Sequence, residues 1–487
     1  MHSGLIQMTA WDDPGAAPNF RPANGPDCAG VKVKHGFRNI LLAAGSTFVA
    51  WYDFALYSCA SRYITDTSFP HRCSGVSTWF GFAFTYVFRP VGGAFFGVLA
   101  DTHGRKVAMQ AAIATMLAAT FVQGCLPSPD SCGAGWAWFV RFALLGCRAL
   151  RGLSAGGDLS ITAVYVSEMS PKETLGFSLS WIAVTGSFGG WAVAELVFCL
   201  LNSLLSKEDM LMWGWRLPFL TSVVPGALIV LALRYLEETP DFEEMLRQEL
   251  ERRNTGEFRE ATDSVERRDD PLTELLRHHK WALFIGLLGT AGTTALGYVP
   301  PTYCVESMEK RGELPANGAL ASELLCFTIA TLCAPLVGKL VDAWGACKVF
   351  TMALLAGCIV APAPLLYWWA HVPPHSRVSA VLIGQAVFGP LLALSTSVYL
   401  WGVELFPLRV RATGFSLAYN IGNAIFGGVG PLIVEAGGEV VSPKSLVSAP
   451  TAFLIFAGLL SLAGVAGSQT LARKGALSLT HIRASPY

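Results

Sequence analysis

The sequence predicts an all-α polytopic membrane protein, with twelve transmembrane helices in two pseudo-symmetric six-helix bundles, and three observations carry that prediction. The first is composition: of 487 residues 52% are hydrophobic and only 14% charged, against about 25% charged in a soluble chain. The second is the length of the uncharged runs. Segments 107–126, 281–303, 378–403, 412–434 and 445–472 contain no Asp, Glu, Lys or Arg, and each reaches the roughly 20 residues that cross a bilayer. Backbone groups in hydrocarbon must pair within the protein, which leaves helices or closed barrels; the period-two alternation of barrel strands is missing. The third is an internal repeat: Gly97, Asp101 and Gly104 of "GVLADTHG" recur as Gly338, Asp342 and Gly345 of "GKLVDAWG", and "EMSP" at Glu168 recurs as "ELFP" at Glu404.

In chain order, residues 1–35 include "WDDPGAAPNFRPANGPD", which has no apolar core and reads as a disordered cytoplasmic tail, not a cleaved signal. Apolar runs then place spans at 36–60, 75–100, 107–126, 142–167, 174–200 and 215–236. These form the N-terminal bundle, 36–236. The polar stretch 237–280 contains "DFEEMLRQELERR", with Glu243/Arg247 and Glu249/Arg253 at helical i,i+4 spacing, and predicts a solvated helix linking the halves. Spans at 281–303, 320–341, 349–370, 378–403, 412–434 and 450–470 form the C-terminal bundle, 281–472, before a tail at 473–487. Duplicated bundles around a midplane site are a transporter signature.

Basic residues gather in alternate loops (Arg105, Lys106, Lys172, Lys280, Lys348, Arg409, Arg411). The positive-inside rule therefore puts both termini in the cytoplasm of a multi-pass protein of the cell membrane. A net charge of zero removes any argument for nucleic acid as a partner; the expected partners are a small molecule, protons and the lipid bilayer, with the chain a monomer. The twelve cysteines show no metal spacing and are read as small hydrophobes. Cys73, Cys125 and Cys132 fall in outer loops and are expected to be free. No Walker loop or paired-Cys metal site is present, and the Gly-rich "SAGGD" lies in an apolar helix where close helix packing explains it, so neither an enzyme nor a cofactor or metal is expected.

Charges inside spans are costly and need a function or a partner. Asp53, with Tyr57 one turn on, and Asp158 can bind and release protons as water access alternates; a fixed ion pair is the alternative for each. Arg148, Arg151 and Asp158 lie on one face of the fourth span and can form a network. Arg89, about 18 Å along a helix from Asp101, lies near mid-bilayer and needs a carboxylate from Asp53, Asp158 or a substrate. Arg89, Tyr57, Arg151, Tyr298, Asn420 and Asn423 are the candidate substrate-binding residues, Gln385 a helix-joining one, and Pro300–Pro301 should break the seventh helix and make a gate. At the cytoplasmic boundary Asp101 can latch to Arg105 or Lys106; Glu168, Asp342, Glu404, Arg409 and Arg411 read as gate residues of the same kind. Glu195 is a further acid within a span.

Taken together, "WYDFALY", "FRPVGGAFFG", "GVLADTHGRK", "RGLSAGGD", "WGWRLPF" with "LEETPDF", and "ELFPLRVRATGFSLAYNIGNAIFGG" resemble the metabolite:H⁺ symporter family of the major facilitator superfamily. The resemblance runs from Val49 to Pro431, and family members include permeases for α-ketoglutarate, citrate, shikimate and proline or betaine. It implies a proton-coupled symporter of a small organic acid or zwitterion working by alternating access. Proton-independent facilitation is the alternative, and a non-transporting metabolite receptor a more distant one. The chain departs from the family's pattern at Asp158, where Glu is usual, at Arg151, where Gln is usual, and in "GKLVDAWGACK", which lacks an arginine pair. It also lacks a C-terminal coiled coil, which argues against an osmosensor.

Overall fold

The computed structural model describes residues 36–68, 74–127, 134–254, 270–438 and 448–473. Cys73 and Cys132 lie outside them. Among the described residues twelve long helices account for the spans: α1 (Gly36–Ser68), α2 (Ser74–His103), α3 (Arg105–Cys125), α4 (Ala134–Met169), α5 (Lys172–Leu204), α6 (Gly214–Tyr235), α7 (Lys280–Lys310), α8 (Ala316–Trp344), α9 (Ala346–His371), α10 (Pro374–Val403), α11 (Leu408–Gly437) and α12 (Ala449–Arg473). Ten of them are long and apolar enough to cross a bilayer. The other two, α2 and α4, are 30 and 36 residues long and carry the buried charges Arg89, Arg148, Arg151 and Asp158.

The helices are apolar outside as well as inside. Val87, Val91 and Phe95 on α2, Val224, Leu228 and Leu231 on α6, and Leu332 and Leu336 on α8 are exposed at helical spacing, stripes that match lipid and not water. Polar groups turn inward instead: Asp53, Arg89, Arg148, Arg151, Asp158, Glu195 and Asn420 are all buried.

Small residues let helices approach. A Cβ on Gly156 would lie 2.2 Å from the Arg89 carbonyl oxygen, and one on Gly152 2.2 Å from that of Thr85, so the glycines of "RGLSAGGD" serve close packing of α4 on α2. The two halves meet along two related seams, α2 against α11 and α5 against α8. Both are built by the repeated motif. A Cβ on Gly97 would stand 2.7 Å from Thr413 Cα, and one on Gly338 2.7 Å from the Gly176 oxygen and 2.8 Å from Phe177 Cα.

Pro300 and Pro301 do not break α7. Its turns widen over Val299–Tyr303 and the helix resumes at Cys304; an expanded turn absorbs the missing amides. The Pro300 carbonyl receives Gln385 Nε2 of α10 at 3.1 Å, which ties α10 to that turn. The linker holds a helix at Pro240–Asn254, in which Arg247 pairs with Glu244, one turn earlier, and not with Glu243.

Candidate functional site: a central cavity with a charged gate

At the basic end of the bundle, the loop cluster around Arg105 locks the halves together. Asp101, at the end of α2, accepts the Ala412 and Thr413 amides at 3.2 and 2.8 Å and the Thr413 hydroxyl at 2.8 Å. A carboxylate on the first amides of α11 meets the positive end of that helix. The repeat does the same on the other seam: Asp342 accepts the Gly176 and Phe177 amides at 2.6 and 3.0 Å. Gly104 and Gly345, at φ 103° and 87°, supply the left-handed turns that end each motif.

Arg105 is fully buried and spans both halves. Nε and Nη2 donate to Glu168 at 3.1 and 3.2 Å, while Nη2 also reaches the Leu408 carbonyl at 3.2 Å. Asp101 is its more distant ionic partner, at 3.6 Å. Arg411 Nη1 donates at 3.1 Å to Glu168 Oε1, the oxygen that also receives Arg105 Nη2, so Glu168 of α4 is clasped by an arginine from each half. Lys106 Nζ donates to the Arg234 carbonyl at 2.9 Å, Arg409 pairs with Glu274 at 3.4 Å, and Glu404 lies beside Cys347. The linker joins in. Glu238 accepts the Arg105 and Lys106 amides; burial pushes its carboxyl up, against the pull of those donors. Asp241 is pushed up by burial and then by Glu168.

This geometry changes what a charge swap should do. Asp101→Asn and Arg105→Gln are each expected to slow transport severalfold, but the Asp101→Arg/Arg105→Asp exchange should not restore it, because Asp101 chiefly meets a helix N-terminus. Uptake rates in vesicles with matched protein content check this, and recovery in the exchange variant would make the two residues a simple pair.

Deeper in the bundle, a cavity opens between the halves. Trp51, Ser187, Phe188 and Trp191 line it from one half, and Thr293, Thr294, Tyr298, Phe327, Thr396, Tyr399, Tyr419 and Asn423 from the other. Ser187 and the Tyr399 hydroxyl bridge it at 2.9 Å. Its wall carries rings and hydroxyls, with no charged side chain among the lining residues.

Of the residues singled out in the sequence, Tyr298 and Asn423 line this cavity. Arg89 lies behind the wall: its guanidinium is 5.8, 5.9 and 5.2 Å from the ring centres of Trp51, Phe54 and Tyr86, and its field reaches Tyr298 and Tyr419. Nε donates to Asn420 Oδ1 at 3.1 Å. Asn420 in turn donates to the Gly156 carbonyl at 2.6 Å, joining α11 to α4. No carboxylate pairs with Arg89 among the described residues.

Tyr57 and Arg151 are elsewhere. Arg151 pairs with Asp53 and donates to Gln123 at 3.1 Å, Thr120 donates to Asp53 at 2.8 Å, and Arg148 stacks on the Tyr57 ring at 3.0 Å. This cluster sits within the first half, among α1, α3 and α4. Asp158 is outside it despite sharing a face of α4 with both arginines. It accepts the Ser46 hydroxyl at 3.2 Å through Oδ1, while Oδ2 has no partner among the described residues. Ser187, Tyr399, Trp51 and Trp191 were not legible as cavity residues; only the hydroxyl-rich "GTTALGY" hinted at the α7 wall.

Residues 39–473 match the profile of the family described as sugar (and other) transporter. The α-ketoglutarate permease of Escherichia coli is 31% identical over 90% of this chain and 94% of its own length. The ectoine/proline transporter ProP of Corynebacterium glutamicum is 29% identical over 86% and 81%, and the citrate-proton symporter of Salmonella typhi 28% over 88% and 93%. Among solved structures, the major facilitator superfamily proton:xylose symporter XylE superposes with a TM-score of 0.69 at 17% identity over 92% of this chain and 98% of that one.

Proposed function

This chain belongs to the sugar (and other) transporter family, and from that premise we propose that it is a proton-coupled symporter of a small carboxylate-bearing solute, working by alternating access. The observation that carries the substrate class is Arg89, a buried guanidinium with no carboxylate partner among the described residues, set behind the wall of a neutral cavity between the halves. Such a group gains most from a ligand carboxylate, because paired hydrogen bonds offset desolvation better than a neutral ligand can. The aromatic lining adds a second preference. Ring faces attract ammonium groups, so a zwitterion with its carboxylate toward Arg89 and its onium among Trp51, Trp191 and Tyr399 suits the cavity. A dicarboxylate is the second reading, favoured by similarity to the α-ketoglutarate permease.

The gate residues close the basic end, which the positive-inside rule places in the cytoplasm together with both termini. On this reading the chain is a monomer in the cell membrane, with residues 36–236 and 281–472 as the two moving bundles and 237–280 as a strap across the gate. Asp158 carries the coupling proton, since it is buried with a single hydroxyl donor and no cation beside it.

Uptake into proteoliposomes at two external pH values tests the assignment, with a betaine, a dicarboxylate, its mono-amide and a neutral analogue as solutes. Accumulation should rise with inward proton gradient, and the neutral analogue should not compete. Arg89→Gln should weaken carboxylate competition at least tenfold. Unchanged competition in that variant would make Arg89 a structural contact, and uptake indifferent to pH would make the protein a facilitator.

A further inference from the structure

We propose that Glu195 of α5 and Glu323 of α8 form a proton-binding site in the seam between the two halves, holding the end remote from the basic loops shut while a proton lies between them. The proposal rests on the symport reading for the use made of that proton. Both side chains are buried, at 2% and 9% exposure, on helices that pack against each other, and the two carboxyls lie within hydrogen-bonding reach of one another. An ionised carboxylate only accepts, so a hydrogen bond between two carboxyl groups requires a proton on one of them. Loss of that proton leaves two negative charges in contact at a buried site, the arrangement that cannot ionise fully without separating.

Position gives the pair its role. Trp191 and Phe327 pack across the same seam, ring centres 5.2 Å apart, at the edge of the cavity. Glu195 lies one turn beyond Trp191 and Glu323 one turn before Phe327, so the carboxyls meet on the side of this aromatic layer away from the basic end. Along α5, Glu195 stands about 28 Å from the Asp342 anchor at Gly176. One seam is thus pinned at one end by amides on a carboxylate and at the other by carboxyl on carboxyl. Alternating access has to part the second contact whenever that end opens.

The neighbours sharpen the pH response. Glu306 and Glu309 at the end of α7 add further negative charge near Glu323, and Glu306 is itself paired with Lys310 at 2.8 Å. From α10, Arg377 is engaged by Glu313 at 3.4 Å; from α1, the Tyr63 hydroxyl donates to Asn202 at 2.7 Å. Cys326 lies on α8 beside Glu323 and is buried.

The test uses the full chain in lipid nanodiscs, with spin labels on genetically encoded side chains at Leu204 and Asn317, both exposed near that end. In the wild type the short-distance population should fall at least fivefold as pH is raised from 5 to 9. Glu323→Gln donates from its amide to Glu195 at any pH, and Glu195→Gln/Glu323→Gln bonds without a proton, so both should keep the short distance across the range. If the double variant is not recovered in the membrane, the isosteric single variant decides. A wild type that does not titrate, or a Glu323→Gln variant that titrates like it, overturns the proposal. Uptake in the same proteins separates the two readings: pH-driven uptake with a flat wild-type distance loses the site and keeps symport, whereas a titrating seam with pH-indifferent uptake keeps the site and loses symport.

Discussion

Valine in place of Gly97 or Gly338 is expected to leave the protein inserted in the membrane but held open at the basic end, with transport reduced at least tenfold. The Cβ of either residue would stand under 3 Å from backbone of the opposite half, Thr413 Cα in one case and the Gly176 oxygen and Phe177 Cα in the other. Backbone cannot move aside as a side chain can, so the clash is relieved by separating the halves. Neither glycine has positive φ, so the helices themselves tolerate the change. The control is Gly156→Val, whose clash with the Arg89 carbonyl lies within one half; it should lower the yield of folded protein and not trap a conformer. Distances between labels on the two halves at the basic end, read beside uptake, check the expectation. Wild-type closure in Gly97→Val would show that this seam does not govern the gate.

The second large effect separates two buried acids. Asp158→Asn is expected to abolish accumulation driven by a proton gradient, bringing the concentration ratio close to unity, while counterflow exchange continues. Asparagine keeps the shape of the side chain and its contact with Ser46 but cannot carry the proton. Asp53→Asn should act on stability instead. It leaves Arg151 buried without its countercharge, and breaking one side of a buried pair costs about 3–5 kcal/mol. The measurement is gradient-driven uptake and counterflow for both variants, with the melting temperature of each purified protein. A stable Asp53→Asn protein that exchanges but does not accumulate, beside a fully coupled Asp158→Asn protein, would transfer the proton role to Asp53.

Much of the contact cluster at the basic end was legible in the sequence because its pieces repeat. "GVLADTHG" and "GKLVDAWG" mark equivalent turns, and the acids and bases beside them are what a closing contact needs. Their partners were not legible. Asp101 reads as the partner of Arg105, four residues on, yet its oxygens go to amides of a helix more than three hundred residues away, and Arg105 turns to Glu168. Helical spacing reports which side chains share a face and says nothing of a neighbouring helix's terminus. Asp158 shows the same limit: it shares a face with Arg148 and Arg151, but α1 and α3 draw the arginines toward Asp53, Gln123 and Tyr57.

Composition, run length and the internal repeat by themselves determined that the chain is helical, crosses a bilayer many times and is built as a duplicated bundle, since hydrocarbon admits few backbone solutions and each span must be long and apolar. The tertiary structure alone decided which buried charges are partnered. Arg89 ends among rings and Asn420, Arg151 on Asp53, and Glu323 on Glu195. The physical reason is that the cost of burying a charge depends on the atoms within a few ångströms of it, and in a helical bundle those atoms come from other helices, at sequence separations that no local pattern encodes.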